Sequence, residues 1–307
     1  MEFLGYHLVQ VTQFAAIAAY KLCGLCDEKK ADQAAVDAMR TALQTLEING
    51  IIVIGEGERD KAPMLYIGEK VGTGIGPSLD IAVDPLEGTT MCAYYKQGAM
   101  SVLAATKQGN FLHAPDIYME KIAIGKYLPY GIVSLKNSIR KNLENLSQVK
   151  NCQVSDLKIA ILKRKRHIKL IKKISKLSAK VKLIDDGDIT AIISLIHDHH
   201  DMYIGIGGAP EGVLAASVLR SMGGQMEGRL IFNTEEAKKR AHDFHIHELD
   251  KIYSLQDMVR GESVFIATGI TSGELLEGVQ LYKNHTSTHS IIISPNKVVR
   301  LQTVHHV

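Results

Sequence analysis

The sequence lacks long apolar runs, and we expect no export signal at its start. Its longest apolar stretches, such as Phe14–Tyr20 and Leu157–Leu162 with its Lys158, are well short of the roughly 18 residues that a membrane-spanning helix needs. The first residues show no basic start followed by an apolar core and a small-residue cleavage site. We therefore expect no membrane partner, and a cytoplasmic location follows by default.

Cysteine is scarce, and the four cysteines are too scattered for a disulfide scaffold. Cys23 and Cys26 form a C-x-x-C pair, a pattern found in redox pairs and in halves of zinc sites. The sequence contains no second pair, and an alanine-rich helical segment precedes the motif where a redox motif would follow a strand. We expect neither kind of site here.

An excess of charge is also absent, because the formal net charge is only +3, with 22% charged and 46% hydrophobic residues. These values are close to those of an average soluble enzyme and far from those of a disordered chain. So small a net charge creates no global field that would favour nucleic acid. The 307 residues suffice for one large domain or two of ordinary size.

The hydrophobic pattern predicts two helices at the start of the chain. Apolar residues recur at helical spacing in Leu4–Cys23 and Ala31–Leu46, and Asp27 is placed to cap the second helix. Short apolar or β-branched runs predict strands at 51–54, 79–83, 99–106, 158–162, 181–184, 202–206, 264–268 and 290–294.

From residue 156 onward, predicted strands alternate with predicted helices. This alternation is typical of an α/β fold, in which ligands gather at the carboxyl ends of the strands. Lys136–Val149 is polar and weakly periodic, and we interpret it as a link. The chain is therefore expected to divide into halves 1–155 and 156–307.

Acidic residues collect just beyond predicted strands or at helix starts; they are Asp32, Glu56, Glu58, Asp84, Glu87, Asp186, Asp188 and Glu211. Several carboxylates in one cleft repel each other strongly, and a bound cation relieves that repulsion. Oxygen ligands without cysteine or histidine favour Mg²⁺ or Mn²⁺ over zinc. The acids therefore predict a site for hard divalent cations.

The most specific element is Asp84-Pro85-Leu86-Glu87-Gly88-Thr89, which follows a predicted strand. Asp84 and Glu87 are spaced so that both can bind one ion, and Gly88 lets the main chain approach an anion closely. Thr89 by itself would fit a helix cap equally well. Next to two acids, we favour a role for it in the site.

Two other turns follow predicted strands of the second half. In Gly207-Gly208-Ala209-Pro210-Glu211-Gly212, the acid either binds metal or only complements the helix dipole. Asp186-Gly187-Asp188 fits either a capped turn or two carboxylates that bind sugar hydroxyls.

A basic run, "KRKRHIKLIKK", contains Arg164, Lys165 and Arg166 at the end of a predicted strand. Such runs are commonly solvated helix faces, and they also attract nucleic acid. No aromatic residues that would stack on bases are interleaved with it, so nucleic acid is not an expected partner. A strand-end arginine is well suited to clamp a phosphate.

These motifs carry a family resemblance. "DIAVDPLEGTT" resembles the metal-binding signature of the lithium-sensitive sugar-phosphatase superfamily. The blocks "VIGEGERDKAPMLYIGEKVGTG", "HAPDIYMEK", "DDGDI" and "GIGGAPEGVLAA" closely resemble class II fructose-1,6-bisphosphatases of the GlpX type, nearly from end to end of the chain.

The resemblance implies a layered α/β/α/β/α sugar-phosphatase fold (α+β). It further implies two Mn²⁺ or Mg²⁺ ions per active site and hydrolysis of fructose 1,6-bisphosphate to fructose 6-phosphate and phosphate, by metal-activated water, in gluconeogenesis. The first half, 1–155, would then bind metal, and the second, 156–307, would bind substrate. A homo-oligomer, dimer or tetramer, is expected.

Residue by residue, the resemblance implies that Asp32 and Glu56 bind one metal ion, and that the other ion is bound by Asp84, Glu87 and Glu211. Asp84, Glu87 and Thr89 would be catalytic. The implied substrate-binding residues are Glu87, Gly88, Thr89, Tyr118, Arg164, Lys165, Arg166, Asp186, Gly187, Asp188 and Gly208.

The chain departs from the family pattern at two of these motifs. Glu28 stands where the family usually has lysine in a G-D-K-x-x-A-D pattern, and Arg164 stands where lysine is usual. Two alternatives to the fructose bisphosphatase activity are considered. One is a phosphatase for sedoheptulose 1,7-bisphosphate or an inositol phosphate, and the other is a non-enzymatic metal- or RNA-binding module.

Overall fold

A computed structural model describes residues 1–57, 64–185, 187–197, 199–244 and 246–306. Its helices, in chain order, are α1 (Glu2–Tyr20), α2 (Glu28–Gln44), α3 (Thr89–Ala93), α4 (Ile139–Val149), α5 (Ile168–Lys176), α6 (Asp188–Ile193), α7 (Ala209–Met222), α8 (Glu235–Asp243) and α9 (Leu255–Met258).

The strands, in chain order, are β1 (Asn49–Ile54), β2 (Lys70–Val71), β3 (Ser78–Glu87), β4 (Met100–Lys107), β5 (Tyr118–Ile124), β6 (Lys158–Leu162), β7 (Lys180–Ile184), β8 (Met202–Gly208), β9 (Gln225–Leu230), β10 (Ile252–Ser254), β11 (Ser263–Gly269), β12 (Gln280–Leu281), β13 (His285–Ser294) and β14 (Lys297–His306). The α/β class predicted from the sequence is confirmed.

The first compact unit comprises Met1–Phe111 and Gly261–Val307. Its sheet has the order β12-β13-β11-β4-β3-β1-β2, with β14 paired to β13, and β1 and β3 run parallel. Helices α1 and α2 pack on this sheet through buried aliphatic side chains. Helix α1 approaches closely because it presents small residues: a Cβ on Gly5 would lie 2.6 Å from Ile292 Cγ2.

The second compact unit comprises Leu112–Arg260. Its sheet has the order β10-β9-β5-β8-β6-β7 and is mixed: β6 pairs parallel with β7 and β8, whereas β5 pairs antiparallel with β8 and β9. A core of aliphatic residues from β5, β6 and β8 takes in Leu143 and Leu146 of α4.

These units differ from the halves drawn along the sequence, 1–155 and 156–307. The difference arises because β11 pairs antiparallel with β4 over seven residue pairs, from Ser263↔Thr106 to Gly269↔Met100, and so returns the end of the chain to the first sheet. Pairing between strands that are so distant in sequence leaves no local signal from which a boundary can be read.

Two local predictions had opposite outcomes. The Asp27 cap is confirmed, because its carboxylate accepts a hydrogen bond from the Lys30 amide at 3.1 Å. The interpretation of Lys136–Val149 as a link is wrong: Ser138 caps α4, whose apolar stripe joins the core.

Among the helices that can be described, none is both long enough and apolar enough to cross a bilayer.

Cys23 of the C-x-x-C pair lies beside Cys92, although the spacing would suggest Cys26 as its partner. The Sγ atom of Cys23 lies 3.0 Å from the Sγ atom of Cys92 in α3. The loop after α1 is also bound to α3 through its backbone, since the Gly24 amide donates to the Cys92 carbonyl and the Cys26 amide donates to the Ala93 carbonyl. All four thiols are free.

Candidate functional site

Three carboxylates of the first unit share one environment. Asp32 lies in the first turns of α2, Glu56 follows β1, and Asp84 lies near the end of β3. Because β1 and β3 are parallel neighbours, their carboxyl ends reach the same edge of the sheet. The fold thus brings together acids that are up to 52 residues apart in sequence.

The charges of these acids affect one another's ionisation. Burial raises the pKa of Glu56 from the ordinary 4.5 to about 8, and the charges of Asp84 and Asp32 raise it further. Burial likewise raises the pKa of Asp32 from 3.8 to about 6, with Asp84 as the second cause. Partly buried carboxylates that oppose each other's ionisation are stabilised by a cation, and oxygen-only ligands fit Mg²⁺ or Mn²⁺.

The segment after Asp84 departs from the predicted local structure. Strand β3 continues to Glu87, with a shift in register against β4 between Asp84 and Glu87. The Leu86 amide donates to Asp84 Oδ1 at 3.1 Å, which fixes one carboxylate oxygen. Oxygen atoms of Asp84 and Glu87 lie within 4.8 Å of each other, so the bulge turns both acids to one side.

Gly88 ends this segment and precedes α3. Its φ of +84° is in the left-handed region, which favours glycine, and it occupies the N-cap position of the helix. Thr89 is the first helical residue, so the alternative that Thr89 is the cap is wrong. The hydroxyl of this half-buried residue therefore does not cap the N-terminus of α3.

The loop that carries Glu56 is held by residues that sequence reasoning did not single out. The Glu56 amide donates to the Leu65 carbonyl at 3.0 Å, and the Leu65 amide donates to the buried carboxylate of Glu69. Arg40 of α2 pairs with Glu69 through Nε and Oε1 at 2.7 Å. Glu58, one of the predicted strand-end acids, lies outside the described residues.

The second unit contains a cavity of about 420 Å³. Three predicted site residues line it: Tyr118 of β5, Gly208 at the end of β8, and Glu211 in the first turn of α7. Tyr118 and Gly208 are direct partners in the β5–β8 register. Asn233, Thr234 and Arg240 also line the cavity, and the sequence showed no motif that would have selected them.

The basic strip lies before α5. Lys165 and Arg166 belong to a 3₁₀ turn, Lys165–His167, with Arg164 before it. The Arg166 guanidinium donates to the Ile206 carbonyl through Nε and Nη2 at 3.0 and 2.8 Å, and it lies 4.7 Å from the centre of the Tyr118 ring. Arg164 donates through Nη1 to the Asp185 carbonyl.

His167 orders this strip, and sequence reasoning overlooked it. Its Nδ1 lies 2.7 Å from the Leu162 carbonyl and its Nε2 accepts a hydrogen bond from the Ile206 amide at 2.8 Å, so Nδ1 carries the ring proton. Burial lowers the pKa of His167, and the neighbouring Arg166 and Arg164 charges lower it further. A neutral imidazole thus ties the end of β6 to β8.

The Asp186-Gly187-Asp188 turn is described in part, because Asp186 lies outside the described residues. Gly187 occupies the N-cap of α6 with a φ of +80°, and Asp188 is the first helical residue. The Asp188 carboxylate is buried and contacts Lys121 and Tyr203. Asp188 is therefore not the cap of α6.

The family model described as bacterial fructose-1,6-bisphosphatase, glpX-encoded, matches residues 2–306. A protein of Prochlorococcus marinus strain MIT 9515, named D-fructose 1,6-bisphosphatase class 2/sedoheptulose 1,7-bisphosphatase, is 42% identical over 303 residues, covering 94% of this chain and 91% of its own.

A protein of the same name from Thermosynechococcus vestitus is 40% identical, covering 98% of this chain and 95% of its own. A third, from Prochlorococcus marinus subsp. pastoris, is 43% identical over 94% of this chain and 91% of its own. The resemblance drawn from the motifs is confirmed.

Proposed function

Because the chain belongs to the glpX-encoded bacterial fructose-1,6-bisphosphatase family, a family of hydrolases, we propose that it hydrolyses fructose 1,6-bisphosphate to fructose 6-phosphate and phosphate. One observation carries the proposal beyond the family: Asp32, Glu56 and Asp84 come from three segments and oppose each other's ionisation. When these carboxylates are all ionised, the arrangement is unfavourable unless cations bind there.

The metal ligands are proposed as follows. Asp32 and Glu56 hold one Mn²⁺ or Mg²⁺ ion, and Asp84 and Glu87 bind the second. Glu211 completes the second set on the strength of its segment's resemblance to the family motif. When bound, the two ions supply positive charge that activates the attacking water and stabilises the charge that develops during phosphoryl transfer.

The chain's own residues position the substrate. Gly88 lets the main chain approach the scissile phosphate closely, and Thr89 offers a hydroxyl that orients the attacking water or the leaving oxygen. Glu87 directly precedes Gly88 in sequence and is buried, which restricts the movement of its carboxylate. Phosphoryl transfer depends on such positioning and on charge neutralisation more than on covalent chemistry.

The sugar and the second phosphate are proposed to bind to the second unit. Arg164, Lys165 and Arg166 neutralise the second phosphate, and the two hydrogen bonds and the ring contact of Arg166 hold its guanidinium in place before substrate binds. Tyr118, Gly208 and the segment 186–188 contact the sugar.

A second substrate is proposed on the names of the relatives, which include sedoheptulose 1,7-bisphosphatase. Turnover of both bisphosphates and of an inositol phosphate, measured side by side, ranks them. Faster hydrolysis of the inositol phosphate would overturn the choice of a fructose bisphosphate.

The primary test is release of phosphate from fructose 1,6-bisphosphate with Mn²⁺, with Mg²⁺ and with a chelator. We expect turnover with either ion and none with the chelator. Absence of turnover with both ions would refute the proposed activity. We further propose that the enzyme acts in gluconeogenesis, in the cytoplasm, as a homo-oligomer.

A further inference from the structure

We propose that Lys121 is a positioning residue for the sugar: its buried ammonium group holds the Asp188 carboxylate and the Gly208 carbonyl in fixed places. This inference rests on the proposed function, because it concerns how that substrate is bound. Lys121 lies in the motif "HAPDIYMEK", but its neighbour Tyr118 was the residue selected there from sequence.

Lys121 is fully buried, which is rare for a lysine. Side chains alternate along β5, so Lys121 shares a face with Met119 and Ala123, both of which are also fully buried. Its Nζ donates to the Gly208 carbonyl at 2.8 Å and contacts Asp188 Oδ2. The single cation therefore joins the end of β8 to the start of α6.

Tyr203 holds Asp188 from another side. Its hydroxyl is 3.4 Å from Asp188 Oδ2, and its ring is fully buried. Burial, followed by the charge of Asp188, raises the pKa of Tyr203, so the phenol stays protonated and donates. The carboxylate is thus bound by two donors from β5 and β8, and its position is set by the sheet.

The space for this cluster is kept by glycine. A Cβ on Gly207 would collide with Asp188 Oδ2 and would lie 3.0 Å from Lys121 Nζ. A Cβ on Gly212 would lie 3.3 Å from Lys121 Cδ and 2.9 Å from Met119 Sδ. Gly207 and Gly212 therefore leave the space that the buried Lys121–Asp188 pair occupies.

Stability alone does not account for the pair. Removing two charges from water is costly, and well-packed apolar residues often replace a buried ion pair without loss of stability. What the pair does provide is placement. Both of its acceptors, Asp188 and the Gly208 carbonyl, belong to segments proposed to contact the sugar, and Gly208 lines the cavity beside Tyr118.

The test compares Lys121→Met with Ile124→Ala. Ile124 is a fully buried core residue three positions further along β5 and is outside the cluster. For Lys121→Met we expect KM for fructose 1,6-bisphosphate to rise about tenfold or more while kcat per folded molecule changes less than about threefold, because ground-state binding is lost. Ile124→Ala should lower the unfolding temperature and leave KM unchanged.

Lys121→Met alone leaves Asp188 as an unpaired buried charge, which can impair folding. A double-mutant cycle with Asp188→Asn avoids this difficulty, because the double variant contains neither charge. If Lys121 acts through Asp188, the KM effects of the two substitutions will be clearly less than multiplicative. Multiplicative effects, or an unchanged KM in Lys121→Met, would overturn the inference.

A further readout does not depend on the substrate. Amide hydrogen exchange at 187–193 and 204–212 should be faster in Lys121→Met than in Ile124→Ala, measured at equal distance below each variant's unfolding temperature. Equal exchange would contradict the positioning role even if the enzyme acted on another sugar phosphate. If the wild-type protein fails to hydrolyse fructose 1,6-bisphosphate but the two variants differ in exchange as expected, only the proposed substrate is refuted.

Discussion

Arg40 and Glu69 form an ion pair, 2.7 Å between Nε and Oε1, that connects the helix of one proposed metal ligand to the loop of another. Arg40 lies in α2, which also carries Asp32. The Glu69 carboxylate accepts a hydrogen bond from the Leu65 amide, and the Leu65 carbonyl accepts one from the Glu56 amide. The relative position of Asp32 and Glu56 therefore depends on a pair that touches neither carboxylate.

Replacing Glu69 with glutamine should weaken metal binding. Substitution of a residue that orients a metal ligand typically lowers metal affinity by about 10- to 100-fold. We therefore expect the Kd for Mn²⁺ to rise by about tenfold. Calorimetric titration of the chelator-treated protein with Mn²⁺ measures it. Glu47→Gln, at an exposed position in the same unit, is the matched control. An unchanged Kd in Glu69→Gln would rule out this role.

Asp84→Asn should abolish turnover and leave the fold intact. The substitution removes a proposed metal ligand without changing core packing, and we expect kcat to fall by about 100-fold or more. Phosphate release at saturating Mn²⁺ and thermal unfolding are the measurements. Asp37→Asn, on the exposed side of α2, should behave like the wild type. Retained activity in Asp84→Asn would count against the ligand assignment.

Without divalent metal, the protein should lose stability as pH rises from 4.5 to about 8, because the pKa of Glu56 is raised over that interval. The folded state then keeps a proton that the unfolded chain has released, so its advantage is complete below the lower pKa and is lost above the higher one. One pKa unit corresponds to ~1.4 kcal/mol, so the whole interval corresponds to about 5 kcal/mol. Because Glu56 is partly exposed and water screens its charge, we expect the free energy of unfolding to fall by about 2–4 kcal/mol.

Urea unfolding in the presence of a chelator, at several pH values, measures this slope. Glu56→Gln should be less dependent on pH than the wild type, and Glu47→Gln should follow the wild type. Parallel curves for Glu56→Gln and wild type would show that Glu56 does not titrate in this range. Added Mn²⁺ should restore stability most strongly at the upper end of the range, where the carboxylates are ionised.

Arg166→Lys should impair substrate binding although the charge is kept. Lysine cannot make both hydrogen bonds to the Ile206 carbonyl in the same plane, and it loses the planar contact with Tyr118. We expect KM for fructose 1,6-bisphosphate to rise by about five- to tenfold with a smaller change in kcat. Lys169→Arg, at an exposed position of α5, is the control. Equal KM values in both variants would contradict the clamp.

Oxidised glutathione should join Cys23 to Cys92, because their Sγ atoms lie 3.0 Å apart. Two thiols are oxidised to one disulfide, and one glutathione disulfide is reduced to two glutathione thiols. Peptide mapping under non-reducing conditions identifies the pair, with Cys26 left free. A bond between Cys23 and Cys26 would show that the C-x-x-C spacing decides the pairing instead.

Local patterns predicted most of the strands well. The strand β6, at Lys158–Leu162, lies where its apolar run predicted it, and the Asp27 cap depends only on residues three positions apart. Helix α4 was missed although its four apolar residues recur at helical spacing, because the polar residues between them make the segment hydrophilic on average. Its stability comes from Leu143 and Leu146, which reach the core of the second unit.

The family and the chemical types of the candidate ligands were available from the sequence, since motifs such as "DIAVDPLEGTT" are contiguous and carboxylates favour hard cations whatever the fold. Only the tertiary structure decided which groups meet. Lys121 is 67 residues from Asp188, and Glu69 is 29 residues from Arg40. Sheet pairing and helix packing create those contacts, and burial there determines which polar side chains must be paired.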